Sequence, residues 1–478
     1  MENFVMDWSL LLNENRRRDS KAAKDHRNEF EKDYDRVINS SSLRRLQDKA
    51  QVFPLQENDF IRTRLTHSLE VSSLGRSFGY DIGQKLVEGG QVDIDDFPRK
   101  IASILSVTCL VHDIGNPPFG HFGEDVIQKW FSKWFSSDEF NRLDKEYFRK
   151  NQRALLNDQQ KNDFINFEGN AQALRILTRL QFLNDQYGIN FTYATLAVLL
   201  KYPRNSLEKN KDSELKSYSK FGYFSSEQNI FEDIKLKVGI AKYRHPLTYL
   251  MESADDIAYS AADVEDGVKK GIVPWEIVYE DVKVALYEKY KVGFDYLESL
   301  RMKARENNVP DIDLVNAQNF RVWAQGEMFK ACSEAFINNY ELIISGQIDK
   351  ELLKISTASD IKDKLDEIAR KYCYSSKEVL QLELVGESVL SGLLDMFVDA
   401  IILVNTEEGA KKKENKLFHL ISENFRYVQK LDASGKPTRT IQDLSLYDRL
   451  LLITDFISGM TDSYAVDLYQ RLSGLKLL

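Results

Sequence analysis

From Arg99 to Gly115 the chain reads RKIASILSVTCLVHDIG, a helix-length segment that is apolar on almost every side until it ends in two adjacent ionisable groups. A helix without a polar face cannot lie on a surface; other elements must surround it. The chain therefore has to build a large core around this segment, which Gly115, Pro117 and Pro118 then stop. Just upstream, LTHSLEVSSLGRSFGYDIGQKLVEGG spaces Leu65, Leu69, Leu74 and Phe78 at three- to five-residue intervals and ends in paired glycines, the pattern of a helix with a C-terminal stop. FEGNAQALRILTRL and YATLAVLLKY repeat the buried helical pattern, and a further helix is expected from Pro246 to just before Gly271.

Composition agrees with this reading. The 23 glycines and 9 prolines fall short of the roughly 33 and 24 expected from average usage in a chain this long. No alternating run of β-branched residues is long enough for a central sheet, so the expected fold class is all-α. We expect an N-terminal arm over 1–30, polar and solvated, a helical core over 31–275, and an amphipathic helical region over 276–478 packed on that core. The polar stretches Phe131–Asp163 and Pro203–Asn229 are expected outside the core.

At 43% hydrophobic residues the chain is not disordered, and its net charge of −9 argues against a dedicated nucleic-acid binder. Cys109, Cys332 and Cys373 are too few and too scattered for a disulfide framework or a thiolate zinc site, which points to a reducing compartment. No stretch reaches the roughly 20 apolar residues of a membrane span. The N-terminal order, a broken apolar run and then Arg16, Arg17 and Arg18, reverses that of a secretory signal. A cytoplasmic protein is expected.

The chemistry concentrates around the histidines. Of six, three lie between residues 67 and 121: His67, His112 and His121. Burying His112 beside Asp113 is expensive unless a cation compensates, and a divalent ion accepts both imidazole and carboxylate. Downstream, MESADDIAYSAADVED places Asp255, Tyr259 and Asp263 at i, i+4 and i+8, on one face of a helix whose other faces are apolar. One helix thus offers a ligand, a ring and a second acid to one cavity.

RTRLTHSLE, VHDIGNPPFGHFGE, FEGNAQ, MESADDIAYSAADVED and DFISGMTDSYA together resemble, in order, the deoxyguanosine triphosphate triphosphohydrolases of the HD superfamily. The resemblance spans residues from about 40 to 470. It implies an HD-domain helical core with a C-terminal helical extension, and a divalent metal, Mn(II) or Mg(II), held by His67, His112, Asp113 and Asp255. Asp255 is preferred to Asp256 because only Asp255 is followed by Tyr at four positions and by an acid at eight. His121 and Glu124 match the family's catalytic pair, with His121 protonating the leaving 5′ oxygen.

The same resemblance implies attack of metal-bound water on the alpha-phosphate of dGTP or another dNTP, yielding deoxynucleoside and tripolyphosphate. Arg64 and, more weakly, Lys201 match phosphate-binding positions. Gln51 matches a contact to the 3′ hydroxyl, with Tyr259 and Asp263 closing on the deoxyribose so that a 2′ hydroxyl is excluded. A homo-oligomer, commonly a hexamer, is implied too. Some family members bind single-stranded DNA; here Tyr218, Phe221, Tyr223 and Phe224 are read first as local packing and only second as a stacking platform. The rival readings are an HD phosphodiesterase or nucleotidase acting on another phosphate ester, and a nucleotide-sensing, DNA-binding module.

Overall fold

In the computed structural model, residues 4–19, 25–53, 62–181, 185–404, 412–432 and 434–476 are described. Among them every regular element is a helix, and only isolated β-bridges occur. The helices used below are α1 (Trp8–Leu11), α2 (Glu29–Ile38), α3 (Arg64–Glu88), α4 (Phe97–Val111), α5 (Gly120–Phe135), α6 (Gly169–Arg175), α7 (Pro246–Lys269), α8 (Ile312–Asn338), α9 (Ser359–Ile368), α10 (Lys377–Leu403), α11 (Leu446–Ser458) and α12 (Asp462–Leu472). No helix among the described residues is long and apolar enough to cross a membrane.

Helix α4 is the all-round apolar segment, and α2, α3 and α7 cover it. Its pairing with α3 does not use the leucine stripe alone. Leu69 faces solvent, while Gly75, Gly79 and Gly83 lie against Cys109, Ala102 and Pro98, so that a Cβ at any of the three would overlap α4. Small residues at i, i+4 and i+8 bring the two backbones close, and this close approach sets His67 on α3 beside His112 at the end of α4. Helix α7 follows the proline start expected of it, with Pro246 in its first turn and His245 as its N-cap. It packs against α3, α4 and α8, and its apolar faces are buried from Leu247 to Val264.

Three expectations are corrected. The described part of the first thirty residues is no solvated tail: Trp8, Leu11 and Leu12 are buried, Trp8 Nε1 donates to Tyr340 Oη at 2.8 Å, and Arg16 pairs with buried Asp33. The stretch Phe131–Asp163 is only partly peripheral, since Phe131, Trp134, Phe140 and Asp163 are buried. The stretch Pro203–Asn229 likewise folds its aromatic residues inward. Phe221, Tyr223 and Phe224 are buried and Tyr223 stacks on Phe231, with ring centroids 4.2 Å apart; Tyr218 lies under the Arg204 guanidinium. Those rings serve packing, and the three buried ones offer no face to a base.

The C-terminal part of the chain reaches back to the core through packed helices and buried polar contacts. Helix α10 lies against α5, α11 and α12. Arg175 of α6 makes a bidentate pair with Asp455 of α11, both distances 2.7 Å, and a third bond to Glu227 at 2.8 Å; all three residues are buried. A paired and fully hydrogen-bonded buried charge is tolerated where an unpaired one is not. Four residues past the end of α11, Asp462 accepts from Ala50 N at 3.0 Å and from Phe119 N at 2.9 Å. Lys49, itself buried, donates to the carbonyls of Asn116 and Ser458 at 2.5 and 2.9 Å.

Candidate active site

Three helices deliver four side chains to one point. His67 Nε2 on α3 and His112 Nε2 at the end of α4 each stand 3.2 Å from Asp255 Oδ1 on α7. His112 Nε2 is also 3.5 Å from Asp113 Oδ1. Ligand atoms of His67, His112 and Asp113 all lie within 4.8 Å of one another.

The orientation of His112 is set by its neighbour. Nδ1 donates to the carbonyl of Cys109 at 2.7 Å, which turns Nε2 toward the carboxylates of Asp113 and Asp255. That nitrogen is buried and makes no hydrogen bond. Burial lowers the His112 pKa, but Asp255 and Asp113 override it and raise it, so positive charge is favoured at this point; with the ring neutral, Nε2 would face only acceptor oxygens. A cation resolves it, and two imidazoles with two carboxylates form a donor set suited to a divalent ion. The residues present fit the expected metal.

Electrostatics point the same way. Burial pushes the Asp255 carboxyl up, but His112, Lys201 and the His67 hydrogen bond override it and hold it well below the usual range. Asp113 is likewise held low against burial by His112 and Arg64. Its second oxygen pairs with the Arg64 guanidinium, and Asn116 Nδ2 donates to Oδ1 at 2.8 Å. Lys201 Nζ donates to Asp255 Oδ2 at 3.1 Å. Asp256, the alternative ligand, keeps one oxygen buried without a partner and lies in the field of Lys362.

A cavity of about 500 Å³ opens beside this cluster. Of the residues named from the sequence, Arg64, Asp113, Asp255 and His121 line it, as do Gln51, Tyr259 and Asp263. The other four stand one contact behind: His67, His112 and Lys201 on Asp255, and Glu124 on His121. His121 Nδ1 donates to Glu124 Oε2 at 2.7 Å, and the imidazole side chain is 71% exposed while Glu124 is buried. Glu124 raises the His121 pKa. In return, Lys220 and His121 hold the Glu124 carboxyl at about 2 although burial opposes them.

The turn that presents His121 has its own requirements. Gly120 adopts a positive φ of 59° with Arg64 packed where a Cβ would go. Gly169 N donates to Glu124 Oε1 at 2.6 Å, and a Cβ at Gly169 would meet Glu124 and Asn116. The glycine of FEGN thus holds the acid that holds the histidine.

The HD domain family model matches residues 64–156. A deoxyguanosinetriphosphate triphosphohydrolase-like protein of Listeria monocytogenes is 41% identical over 98% of this chain and all of its own length. One from Synechocystis is 34% identical over 99% of this chain and all of its own. The deoxyguanosinetriphosphate triphosphohydrolase of Yersinia pestis is 33% identical over 93% of each. The chain belongs to the deoxyguanosinetriphosphate triphosphohydrolase family. Its membership was legible in the five motif blocks, and the all-α fold with an HD domain agrees with the expected class.

Some residues of this triphosphohydrolase-family site were not named from sequence. Tyr374, in the segment after α9, lines the cavity and donates to Asp263 Oδ2 at 2.7 Å; burial raises Asp263 to about 7. Lys362 of α9 donates to Tyr259 Oη at 2.9 Å. Phe122, Val379 and Leu382 add an apolar side. Lys220 Nζ sits 3.1 Å from Glu168 Oε2 and 3.8 Å from Glu124 Oε2. Of these, Phe122 falls inside the block VHDIGNPPFGHFGE and Glu168 is the second residue of FEGNAQ; the others lie outside the blocks read from the sequence.

Proposed function

We propose that the protein is a metal-dependent deoxynucleoside triphosphate triphosphohydrolase that prefers dGTP and releases deoxynucleoside and tripolyphosphate. The observation that carries this reading is the meeting of His67 and His112 on one oxygen of Asp255, in the wall of a cavity that also holds Arg64, His121 and Tyr259. The names of the full-length relatives support it.

His67, His112, Asp113 and Asp255 would hold the ion, Mn(II) or Mg(II). Bound there, it would lower the pKa of a coordinated water and polarise a phosphoryl oxygen of the alpha-phosphate. Arg64, fixed by Asp113, keeps its buried Nε without a protein acceptor and offers positive charge to the triphosphate. Lys201 adds a second charge behind Asp255. His121 holds Nδ1 on Glu124, which turns Nε2 toward the cavity as the acid that protonates the departing 5′ oxygen, a contribution of about 10²- to 10⁴-fold. Gln51, whose Oε1 is buried without a partner, accepts from the 3′ hydroxyl, with Asp263 closing on the deoxyribose beside it. Tyr259 fills the space against C2′ so that a ribonucleotide is excluded. A cytoplasmic homo-oligomer, as a hexamer, belongs to the same reading.

Incubation with dGTP and Mn(II), followed by product identification, tests the proposal. Tripolyphosphate and deoxyguanosine are expected. Pyrophosphate or orthophosphate as the first product would instead favour an HD phosphodiesterase or nucleotidase. No turnover, with DNA affinity that follows nucleotide binding, would favour a sensing module.

A further inference from the structure

Two tyrosines face the cavity with opposite polarity. Tyr374 gives its proton to Asp263 Oδ2. Among the described residues Tyr259 meets no such carboxylate; its oxygen is instead approached by the Lys362 ammonium at 2.9 Å. An ammonium has three donors and no acceptor, so the phenol oxygen must accept. The phenol proton then has to point elsewhere, and among the described residues no protein group accepts it. The remaining open direction is the cavity that Tyr259 lines.

Lys362 is built for this position. It is only 4% exposed; its ammonium lies 2.8 Å from Asp366 Oδ2 and 5.0 Å from the Tyr259 ring centroid. Asp366 anchors the charge from one side, and the buried, unpartnered oxygen of Asp256 contributes a favourable field from the other. The lysine head is thus held behind the ring, and its attraction to the ring fixes the tilt.

We propose that Lys362 is a positioning residue: by occupying the Tyr259 oxygen as a donor, it commits the tyrosine proton to an acceptor oxygen of the bound deoxynucleotide. This rests on the triphosphohydrolase reading, and it adds a residue outside the motif blocks that sets the chemistry of one inside them.

The test is a double-mutant cycle of Tyr259→Phe and Lys362→Met, with Lys362→Arg as the variant that keeps a donor. KM and kcat for dGTP are measured with Mn(II), together with the dissociation constant of a non-hydrolysable alpha,beta-imido dGTP analogue. Each single variant is expected to raise KM and the dissociation constant about ten-fold, the scale of one charge-assisted hydrogen bond, with kcat changed less. The double variant should be no worse than either single one, and Lys362→Arg should stay near the parent.

Multiplicative losses of about a hundred-fold in the double variant, or a Tyr259→Phe affinity within two-fold of the parent, overturn the proposal. The second of these decides the matter even if Lys362→Met does not fold. Repeating the cycle with 2′,3′-dideoxy-GTP locates the acceptor: coupling that vanishes assigns the 3′ oxygen, and coupling that persists assigns a phosphate oxygen. Tripolyphosphate release by the parent protein judges the enzymatic reading separately. Release with additive losses overturns only the role of Lys362, and no release removes both.

Discussion

Asp462→Asn should loosen the active site from a position that touches no substrate. The Asp462 carboxylate is buried and receives two backbone N–H groups from separate loops, Ala50 N at 3.0 Å and Phe119 N at 2.9 Å. Ala50 precedes Gln51, and Phe119 is two residues before His121. Asparagine has a single oxygen, so one N–H keeps a neutral bond and the other faces an amide NH₂.

An unsatisfied buried donor costs about 1–3 kcal/mol, and the surviving bond loses its ionic character, another ~1 kcal/mol. Lys49 limits the damage. Burial already pulls its pKa down to about 7, with Asp462 the largest opposing influence. Without the carboxylate the amine deprotonates and still donates to one or both carbonyls. The total is about 3 kcal/mol, close to 10²-fold in a local opening equilibrium. Hydrogen exchange reads it directly: the Ala50 and Phe119 amides should lose about 10²-fold in protection while those of α4 change little, and KM for dGTP should rise with Mn(II) stoichiometry intact. Unchanged protection at both amides would refute the clamp.

Asp255→Asn should lose bound Mn(II) and turnover together, whereas Asp256→Asn should retain the ion; electron paramagnetic resonance of free Mn(II) measures both, and the reverse order would show that the helix is read in the wrong register. Glu124→Gln should shift the alkaline limb of the kcat profile to lower pH. Glu124 raises the His121 pKa, so the acid form persists below that raised value and is lost as pH climbs through it; a limb that stays in place removes His121 as the acid. Tyr259→Ala should weaken discrimination between dGTP and GTP about ten-fold with little change in metal content, as followed by substrate competition.

The parts of the fold that could be read in advance are those with local signatures. The all-round apolar stretch of α4 and the proline-initiated α7 declare themselves by periodicity, and the HD dyad by its cost of burial. The α3–α4 contact was hidden, because a stripe of Gly75, Gly79 and Gly83 reads as helix-weakening until a neighbouring backbone is brought against it. The N-terminal arm was misread because Arg16 looks solvated until Asp33 is placed beside it. The stretch Pro203–Asn229 is polar by composition but aromatic at Phe221, Tyr223 and Phe224, the positions that pack inward. Tyr374 and Lys362 belong to the site through contacts more than a hundred residues long in sequence, which no local pattern encodes.

The clamp at Asp462 also has a temporal side. The two loops it joins are made early in translation, and Asp462 follows Ala50 by 412 residues. At about 5–20 residues per second that is a wait of roughly 20–80 s. A nascent chain already carrying the four side chains proposed to hold the ion thus lacks the brace between the loops that carry Gln51 and His121, and chains that stall short of α12 are expected to bind ions without organised turnover.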